Sequence, residues 1–237
     1  MIRRIYILFF CIILFSNITY PDKLYKKIER AGKSYFNFVR SGKDKDLKNS
    51  IKIMENLKKN YPDNNMVRVL TGRIYLQKAS NSFWFWNKYK WAYRGIKLQD
   101  KAVELSDNNI FVLYTRAIGC LRLPDFFNRL KKGENDFKKI AKIIERKKIS
   151  YTTRYWREFR SFHSEYSFEF KVSSNKLEKD FRQRCYYMLA VLYNRLNKKN
   201  KTYKYINETL KVDQKSKWSI FARILYKNEG KKLYLKK

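Results

Sequence analysis

The sequence predicts an all-α protein, and three of its features support this fold class. Only 7 Gly and 3 Pro occur among 237 residues, which is too few for the many tight turns of an all-β fold. Apolar residues recur at the spacing of one helical face in several segments. Similar segments also follow one another, each with an amphipathic helix end, an Asp- and Asn-rich turn and a new apolar helix. Such repetition indicates an array of helical repeats.

Residues 1–20 have the organisation of a secretory signal. Arg3 and Arg4 form a positive start, and an apolar run from Ile5 to Phe15 follows them. The run has the length of a signal's apolar core and is short for a bilayer-spanning helix. No pair of small residues marks a cleavage site, so an uncleaved anchor remains the alternative. We expect a signal peptide or anchor over 1–20, a single domain over 21–237, and an exported protein of the periplasm or envelope.

The first helices of the expected domain follow from periodicity and stop signals. A helix is expected over about 23–40, ending near Gly42, because glycine terminates helices readily. A second helix is expected over about 46–60, where apolar residues share one face. These residues are Leu47, Ile51, Met54 and Leu57. The segment from Tyr61 to Asn64, with Pro62 inside it, then reverses the chain.

Later helices can be arranged in two-helix units. The clearest unit combines two motifs, Tyr186-x2-Leu189-Ala190-x2-Tyr193 and Thr202-x3-Ile206-x2-Thr209. Small residues stand at the matching positions of two earlier units: Gly72, Gly95, Ala117 and Gly133. This order and spacing resembles the tetratricopeptide-repeat (TPR) class, whose period is about 34 residues. The resemblance implies antiparallel helix pairs stacked as a short right-handed solenoid, in which small residues let paired helices approach closely.

The units are irregular, which predicts a degenerate TPR-like array with irregular insertions. The unit from Gly72 to Asp107 is about eleven residues longer than a regular repeat, and the excess carries the aromatic residues of segment 83–91. Pro124 lies between the helices of the next unit. Residues 147–181 fit no repeat, and they contain a second aromatic segment, 151–170, with arginines between the aromatic residues.

No pattern indicates catalysis, a cofactor or a metal. His163 is the only histidine, so any Ser-His-Asp or Cys-His mechanism would depend on it, and we expect a surface or groove imidazole instead. The glycines are scattered singly, which argues against a phosphate-binding loop. Cys120 and Cys185 lie in apolar patterns, which favours buried thiols over a disulfide between them. We therefore predict a protein that is not an enzyme and needs neither cofactor nor metal.

The net charge of +34 at pH 7, from 55 Lys and Arg against 21 Asp and Glu, suits an anionic partner. However, no block of like charges forms a binding arm, and the chain is rich in Lys, Asn, Ile and Tyr throughout. A solvated charge that reflects composition is therefore the favoured interpretation. Since an exported protein rarely meets nucleic acid, we expect no nucleic-acid partner, while an anionic envelope surface remains an alternative partner.

Both aromatic segments are candidate binding surfaces, because aromatic and basic side chains suit a peptide, a glycan or an anionic ligand. Packing of these segments onto the helices is the favoured alternative. The tryptophans that we select as candidate binding residues are Trp84, Trp86, Trp91 and Trp156. The TPR resemblance adds a concave groove lined by the first helices of the units, and it implies four groove residues: Arg73, Tyr114, Tyr187 and Asn194.

These observations predict an exported TPR-like scaffold that binds another protein or a peptide in a long open groove, without catalysis. Two alternatives remain. A ligand-binding accessory of an envelope transport system would have a closed apolar pocket lined by the selected tryptophans. A binder of anionic envelope surfaces would rely on the net charge, and salt would weaken its binding.

Overall fold

The computed structural model describes residues 21–146, 154–163 and 174–234. The described residues are helical throughout, with short connections and no strand, which confirms the predicted all-α class. The α-helices are α1 (Pro21–Ser41), α2 (Asp44–Asn60), α3 (Asn65–Asn81), α4 (Phe85–Glu104), α5 (Ile110–Arg122), α6 (Leu130–Arg146), α7 (Arg154–Phe162), α8 (Ser174–Arg195), α9 (Lys199–Val212) and α10 (Lys217–Tyr234). A short 3-10 turn covers Asp125–Phe127. The expected signal segment, 1–20, lies outside the described residues.

Asparagine caps explain where two of the helices begin. The side-chain oxygen of Asn64 accepts hydrogen bonds from the backbone of Met66 and Val67 at the start of α3. Asn109 caps the start of α5 in the same way. Each cap satisfies amide groups that have no partner inside the helix. The Asp- and Asn-rich turns predicted before these helices are therefore present, and they work as helix starts.

Neighbouring helices form the most extensive contacts of the fold. The pairs are α1 with α2, α3 with α4, α5 with α6, and α8 with α9. Helices α3 and α4 cross closely: a Cβ atom added to Gly72 would lie 2.7 Å from the carbonyl oxygen of Gly95. A Cβ added to Gly95 would lie 2.8 Å from the carbonyl oxygen of Gly72. The small residues at these matched positions thus set the distance between the two helices.

Helix α7 lies in the part of the chain that fits no repeat, and it packs into the main core. Its side chains Trp156, Phe159 and Phe162 are buried. The ring centroids of Phe159 and Phe111 of α5 are 5.2 Å apart. The end of α7 also meets α1, where a Cβ added to Gly32 would lie 1.9 Å from the Phe162 carbonyl oxygen. The described part of the second aromatic segment therefore packs the core, as the favoured alternative expected.

Two expectations about irregular segments need correction. The excess residues were expected to form an irregular insertion, but most of them are helical. Only residues 82–84 separate α3 from α4, and the aromatic residues continue into the first turns of α4. Residues 85–91 lack glycine and proline, which allows them to continue as the first turns of α4. His163 is neither a surface nor a groove imidazole, because it is buried beneath α1 and α3 and only 3% exposed. Among the described helices, none combines the length and hydropathy needed to cross a bilayer.

Candidate binding site

The residues selected from the sequence fall in different environments. Trp156 and Tyr114 are buried in the core, so neither offers a free surface, and burial raises the pKa of the Tyr114 phenol to about 12. Trp91 is partly buried, with its ring centroid 4.9 Å from that of Tyr75. The structure therefore does not gather the selected tryptophans around one pocket.

The selected residues of α8 lie apart from those of α3 and α4. Tyr187 is partly buried and contacts the rings of Trp218 and Phe221 of α10, with centroid distances of 5.7 and 6.0 Å. Asn194 is also partly buried. Neither residue lines the cavity that Arg73 lines. Of the four groove residues that the TPR resemblance implied, only Arg73 belongs to that cavity.

This cavity, which we call the aromatic cleft, has a volume of about 410 Å³. Helices α3 and α4 each contribute one face to it, and the lining residues on each helix are spaced at i, i+3, i+4 and i+7, which is one side of a helix. From α3 they are Arg73, Leu76, Gln77 and Ser80, and Ala79 beside them also lines the cavity. From α4 they are Phe85, Lys88, Tyr89 and Ala92.

The end of α5 and the 3-10 turn form the opposite wall of the aromatic cleft. Arg122, Pro124, Phe126 and Phe127 line this side, and Tyr35 of α1 lies at the base. The rings of Tyr89 and Phe127 stack across the connection, with centroids 6.1 Å apart and an interplanar angle of 18°. The cleft therefore has a largely apolar and aromatic lining, supplied by segments far apart in sequence.

Positive charge gathers around Tyr35 in the aromatic cleft. Burial raises the pKa of the Tyr35 phenol, but the positive charges of Arg73 and Arg122 more than reverse this effect, so the pKa lies below its ordinary value. The guanidinium carbon of Arg73 lies 5.2 Å from the Tyr35 ring centroid and 5.7 Å from that of Phe162. Among the described lining residues there is no Asp or Glu to neutralise these two cations.

His163 fixes the position of Arg73 from behind. Its Nδ1 lies 2.7 Å from the carbonyl oxygen of Phe159, and because a carbonyl only accepts, Nδ1 carries the proton. Nε2 therefore accepts a hydrogen bond from Nη1 of Arg73 at 2.7 Å. Burial, and then the charge of Arg73, lowers the pKa of His163 well below its ordinary value. The imidazole is thus neutral at pH 7, and it orients the guanidinium as an acceptor.

Beside the cleft, the start of α4 presents a set of exposed aromatic rings that we call the aromatic surface. Its members are Phe83, Trp84, Phe85, Trp86, Tyr89 and Tyr93. Phe83 is 86% exposed and Trp86 is 78% exposed. A contiguous group of exposed apolar rings, unlike a single one, is typical of an interaction site. Phe85 and Tyr89 also line the cleft, so the two features are continuous.

The described residues offer little for covalent or metal chemistry. Within ranges 21–146, 154–163 and 174–234, no group of three His, Cys, Asp or Glu side chains is placed to hold a metal ion. Cys120 and Cys185 are free and buried, and burial raises the pKa of both thiols. Buried thiols with a raised pKa are poor nucleophiles. Neither therefore provides a reactive group.

Comparisons with protein-family models, characterised proteins and solved structures found no match to this chain. The site therefore has to be interpreted from its own geometry. Sequence reasoning selected Arg73 but missed Tyr35 and Arg122, since an isolated tyrosine and arginine carry no motif. It also missed Phe126 and Phe127, although an aromatic pair directly after Pro124 and Asp125 is a local signal of apolar side chains at a turn.

Proposed function

We propose that this protein is a non-catalytic TPR-like scaffold that binds another protein or a peptide through the aromatic surface. The exposure of Trp84 and Trp86 at the start of α4 is the observation that carries the proposal, since they are 67% and 78% exposed. Burying one large apolar side chain contributes roughly 1.5–3 kcal/mol. Tryptophan and tyrosine also dominate the binding energy of many interfaces. A partner that covers these rings would therefore gain more binding free energy than one that covers the polar parts of the surface.

The same proposal includes a solenoid architecture for the scaffold and its export to the periplasm or envelope. Close contact between consecutive helices, and the glycine-to-glycine approach of α3 and α4, support antiparallel pairs stacked as a short right-handed solenoid. The connections of a few residues between paired helices also favour antiparallel neighbours. Export to the periplasm or envelope rests on the positive start and apolar run of residues 1–20.

A non-catalytic role is supported by the state of the reactive side chains. Both ring nitrogens of His163 are engaged, one by the Phe159 carbonyl and one by Arg73. A general base needs a nitrogen that is free to reach its substrate. Cys120 and Cys185 are buried thiols. The only histidine of the sequence and the two described cysteines are therefore engaged or buried.

Selection from a random-peptide display library tests the scaffold proposal. The double variant W84S/W86S removes the two tryptophans of the aromatic surface, and F221S removes an exposed ring from α10, where Phe221 is 43% exposed. We expect the unmodified protein and F221S to enrich the same peptides, and W84S/W86S to enrich none of them. Equal enrichment by all three proteins would contradict the proposal, as would the absence of any enriched peptide.

The aromatic cleft favours a second candidate function, the binding of a small ligand. Its volume of about 410 Å³ lies within the range of small-molecule sites, roughly 300–1,000 Å³. Apolar walls with a few convergent polar groups are the usual composition of such sites. The lining differs from the one expected from the sequence, because phenylalanine and tyrosine take the places expected for tryptophan.

A further inference from the structure

We propose that the aromatic cleft binds a small amphiphile with one carboxylate head and an apolar tail. The head lies between the guanidinium groups of Arg73 and Arg122, and the tail lies along the rings of α4 and the 3-10 turn. This assignment rests on the second candidate function and names its ligand class.

The sign of the head group follows from the charges that line the cleft. Arg73, Arg122 and Lys88 are cationic, and no acid is present among the described lining residues. In the described parts of the chain, neither Arg73 nor Arg122 forms an ion pair, whereas Arg116 is paired with both Asp100 and Asp136. Unpaired cations beside apolar walls attract an anion and repel a cation.

The arginines also supply the donors that a carboxylate needs. Nη1 of Arg73 donates to His163, and its Nε is buried without a hydrogen-bond partner in the described residues. Arg122 is exposed at the end of α5 and lines the cleft. A planar guanidinium binds a carboxylate through parallel hydrogen bonds, which makes the pair stronger than one between neutral groups. A carboxylate held between two such groups would have donors for both oxygens.

Arg73 is held in place before any ligand arrives. Its guanidinium carbon lies over the rings of Tyr35, Phe36 and Phe162 at 5.2–5.8 Å. His163 is neutral and accepts a hydrogen bond from Arg73. It therefore orients the guanidinium without neutralising its positive charge, as a carboxylate partner would. A cation fixed in this way loses little conformational entropy on binding, which favours affinity.

The tail has an apolar path leading away from the arginines. Tyr89 and Phe127 stack on each other beside it, and Phe85 and Phe126 stand at its exposed edge. Leu76, Ala92 and Ile118 line the interior. Removing an alkyl chain from water along such walls contributes about 0.8 kcal/mol for each buried CH₂. The combination of an apolar path and a cationic end selects an amphiphile over a purely polar anion.

Calorimetric titration with dodecanoate and dodecanol, both kept below micelle formation, tests this assignment. The two probes share a tail and differ in head charge. We expect one dodecanoate to bind per chain, with an affinity at least about tenfold higher than that of dodecanol, because the charge-assisted hydrogen bonds to the arginines require the carboxylate.

Three variants locate the binding. R122M keeps the aliphatic part of the side chain and removes the charge, and we expect about tenfold or greater loss of dodecanoate affinity with dodecanol unchanged. R157M removes the same charge from the exposed face of α7 and serves as the matched control, with no expected change. S80W fills the cleft from an exposed lining position, so we expect it to abolish binding of both probes. Circular dichroism verifies that each variant is folded.

The outcomes separate the assignment from the function on which it rests. Binding of both probes with equal affinity would leave the cleft a ligand site and overturn the carboxylate assignment. Equal losses in R122M and R157M would mean that dodecanoate follows the overall charge, and would also overturn it. No binding of either probe to the unmodified protein would overturn both the assignment and the second candidate function. The peptide selection is independent of all three results.

Discussion

Single residues determine how closely the helices of this protein approach one another. The Gly72–Gly95 crossing leaves no room for a Cβ atom, since the opposing carbonyl oxygens would lie 2.7 and 2.8 Å from it. Side-chain atoms of Gln99 and Leu76 also lie close, but the two carbonyl oxygens are backbone and cannot move aside as a flexible side chain would. The tetratricopeptide pattern anticipated small residues at these positions, and their physical role is visible in the distances.

Substituting Gly95 with alanine tests this role. Alanine normally stabilises a helix relative to glycine by roughly 0.5–1 kcal/mol, but here we expect a loss of about 1–3 kcal/mol in the free energy of unfolding because the crossing becomes overpacked. Urea denaturation followed by circular dichroism measures the change. Lys90→Ala, at an exposed position of the same helix, is the control and should be near neutral. A stabilised Gly95→Ala variant would contradict the packing argument.

His163 makes stability depend on pH in a direction that follows from its environment. Its pKa in the folded protein is below the ordinary value of 6.5, first because of burial and then because of Arg73. Below pH 6.5 the unfolded chain therefore binds a proton that the folded protein does not. The contribution of neutral His163 to the free energy of unfolding is therefore fully present above pH 6.5. It decreases as the pH falls below 6.5, by at most about 1.4 kcal/mol per pH unit.

Comparison with His163→Gln isolates this effect from the titration of other groups. Glutamine has no titrating proton, and its amide oxygen provides an acceptor for Arg73. We expect the free energy of unfolding of the unmodified protein to decrease relative to that of the variant as the pH falls below 6.5. Denaturation curves at several pH values measure the difference. A constant difference across this range would show that His163 does not titrate on unfolding.

At the scale of elements, a buried ion network joins α4, α5 and α6. Arg116 of α5 donates to both carboxylate oxygens of Asp136 of α6, at 2.7 and 2.6 Å. It also donates to Asp100 of α4 at 3.1 Å. Arg116 and Asp136 are 8% and 1% exposed. The network therefore joins three helices, and its Arg116–Asp136 pair is buried away from water, whereas the Asp100 side chain is partly exposed.

Removing one member of the network should cost far more than removing a surface pair. We expect Asp136→Ala to lower the free energy of unfolding by about 3–5 kcal/mol, because the Arg116 charge is left buried without its main partner. Glu104→Ala breaks the exposed pair with Lys101, whose atoms are 3.1 Å apart, and should cost at most about 1 kcal/mol. Denaturant titration compares both variants. Equal losses of unfolding free energy in the two variants would indicate that the Arg116 guanidinium is solvated once Asp136 is removed.

At the scale of the whole molecule, the net charge of +34 sets the response to salt. Lysine and arginine are distributed along the chain without a dominant block. Repulsion between them opposes the compact state. The Debye length falls from about 30 Å at 0.01 M salt to about 10 Å at 0.1 M, so repulsion between distant cations is screened over this range.

We therefore expect the melting temperature to rise between about 0.01 and 0.1 M sodium chloride, over which the Debye length shortens threefold. Each kcal/mol gained should raise it by about 2–4 °C for a chain of this size. Thermal denaturation at constant pH measures the shift. Sucrose at matched osmolality serves as the uncharged control and should not reproduce it at these low concentrations. A melting temperature that falls with salt would mean that attractive ion pairs dominate the folded state.

The sequence by itself determined the helical class, the approximate bounds of α2, and the turns before α3 and α5. These features depend on residues within a few positions of one another: a repeating apolar face, a proline, or an asparagine that caps the next helix. The small residues at the α3–α4 crossing belong to the same group, because their role follows from regular spacing along two helices.

Only the tertiary structure decided the burial of His163, the place of α7 in the core and the composition of the aromatic cleft. Arg73 and His163 are separated by 90 positions, and Tyr35, Arg73 and Arg122 come from three helices. No local pattern records which distant side chains will meet. Their meeting depends on how whole apolar faces pack, and on the exclusion of water that makes a neutral imidazole and an unpaired guanidinium lie side by side.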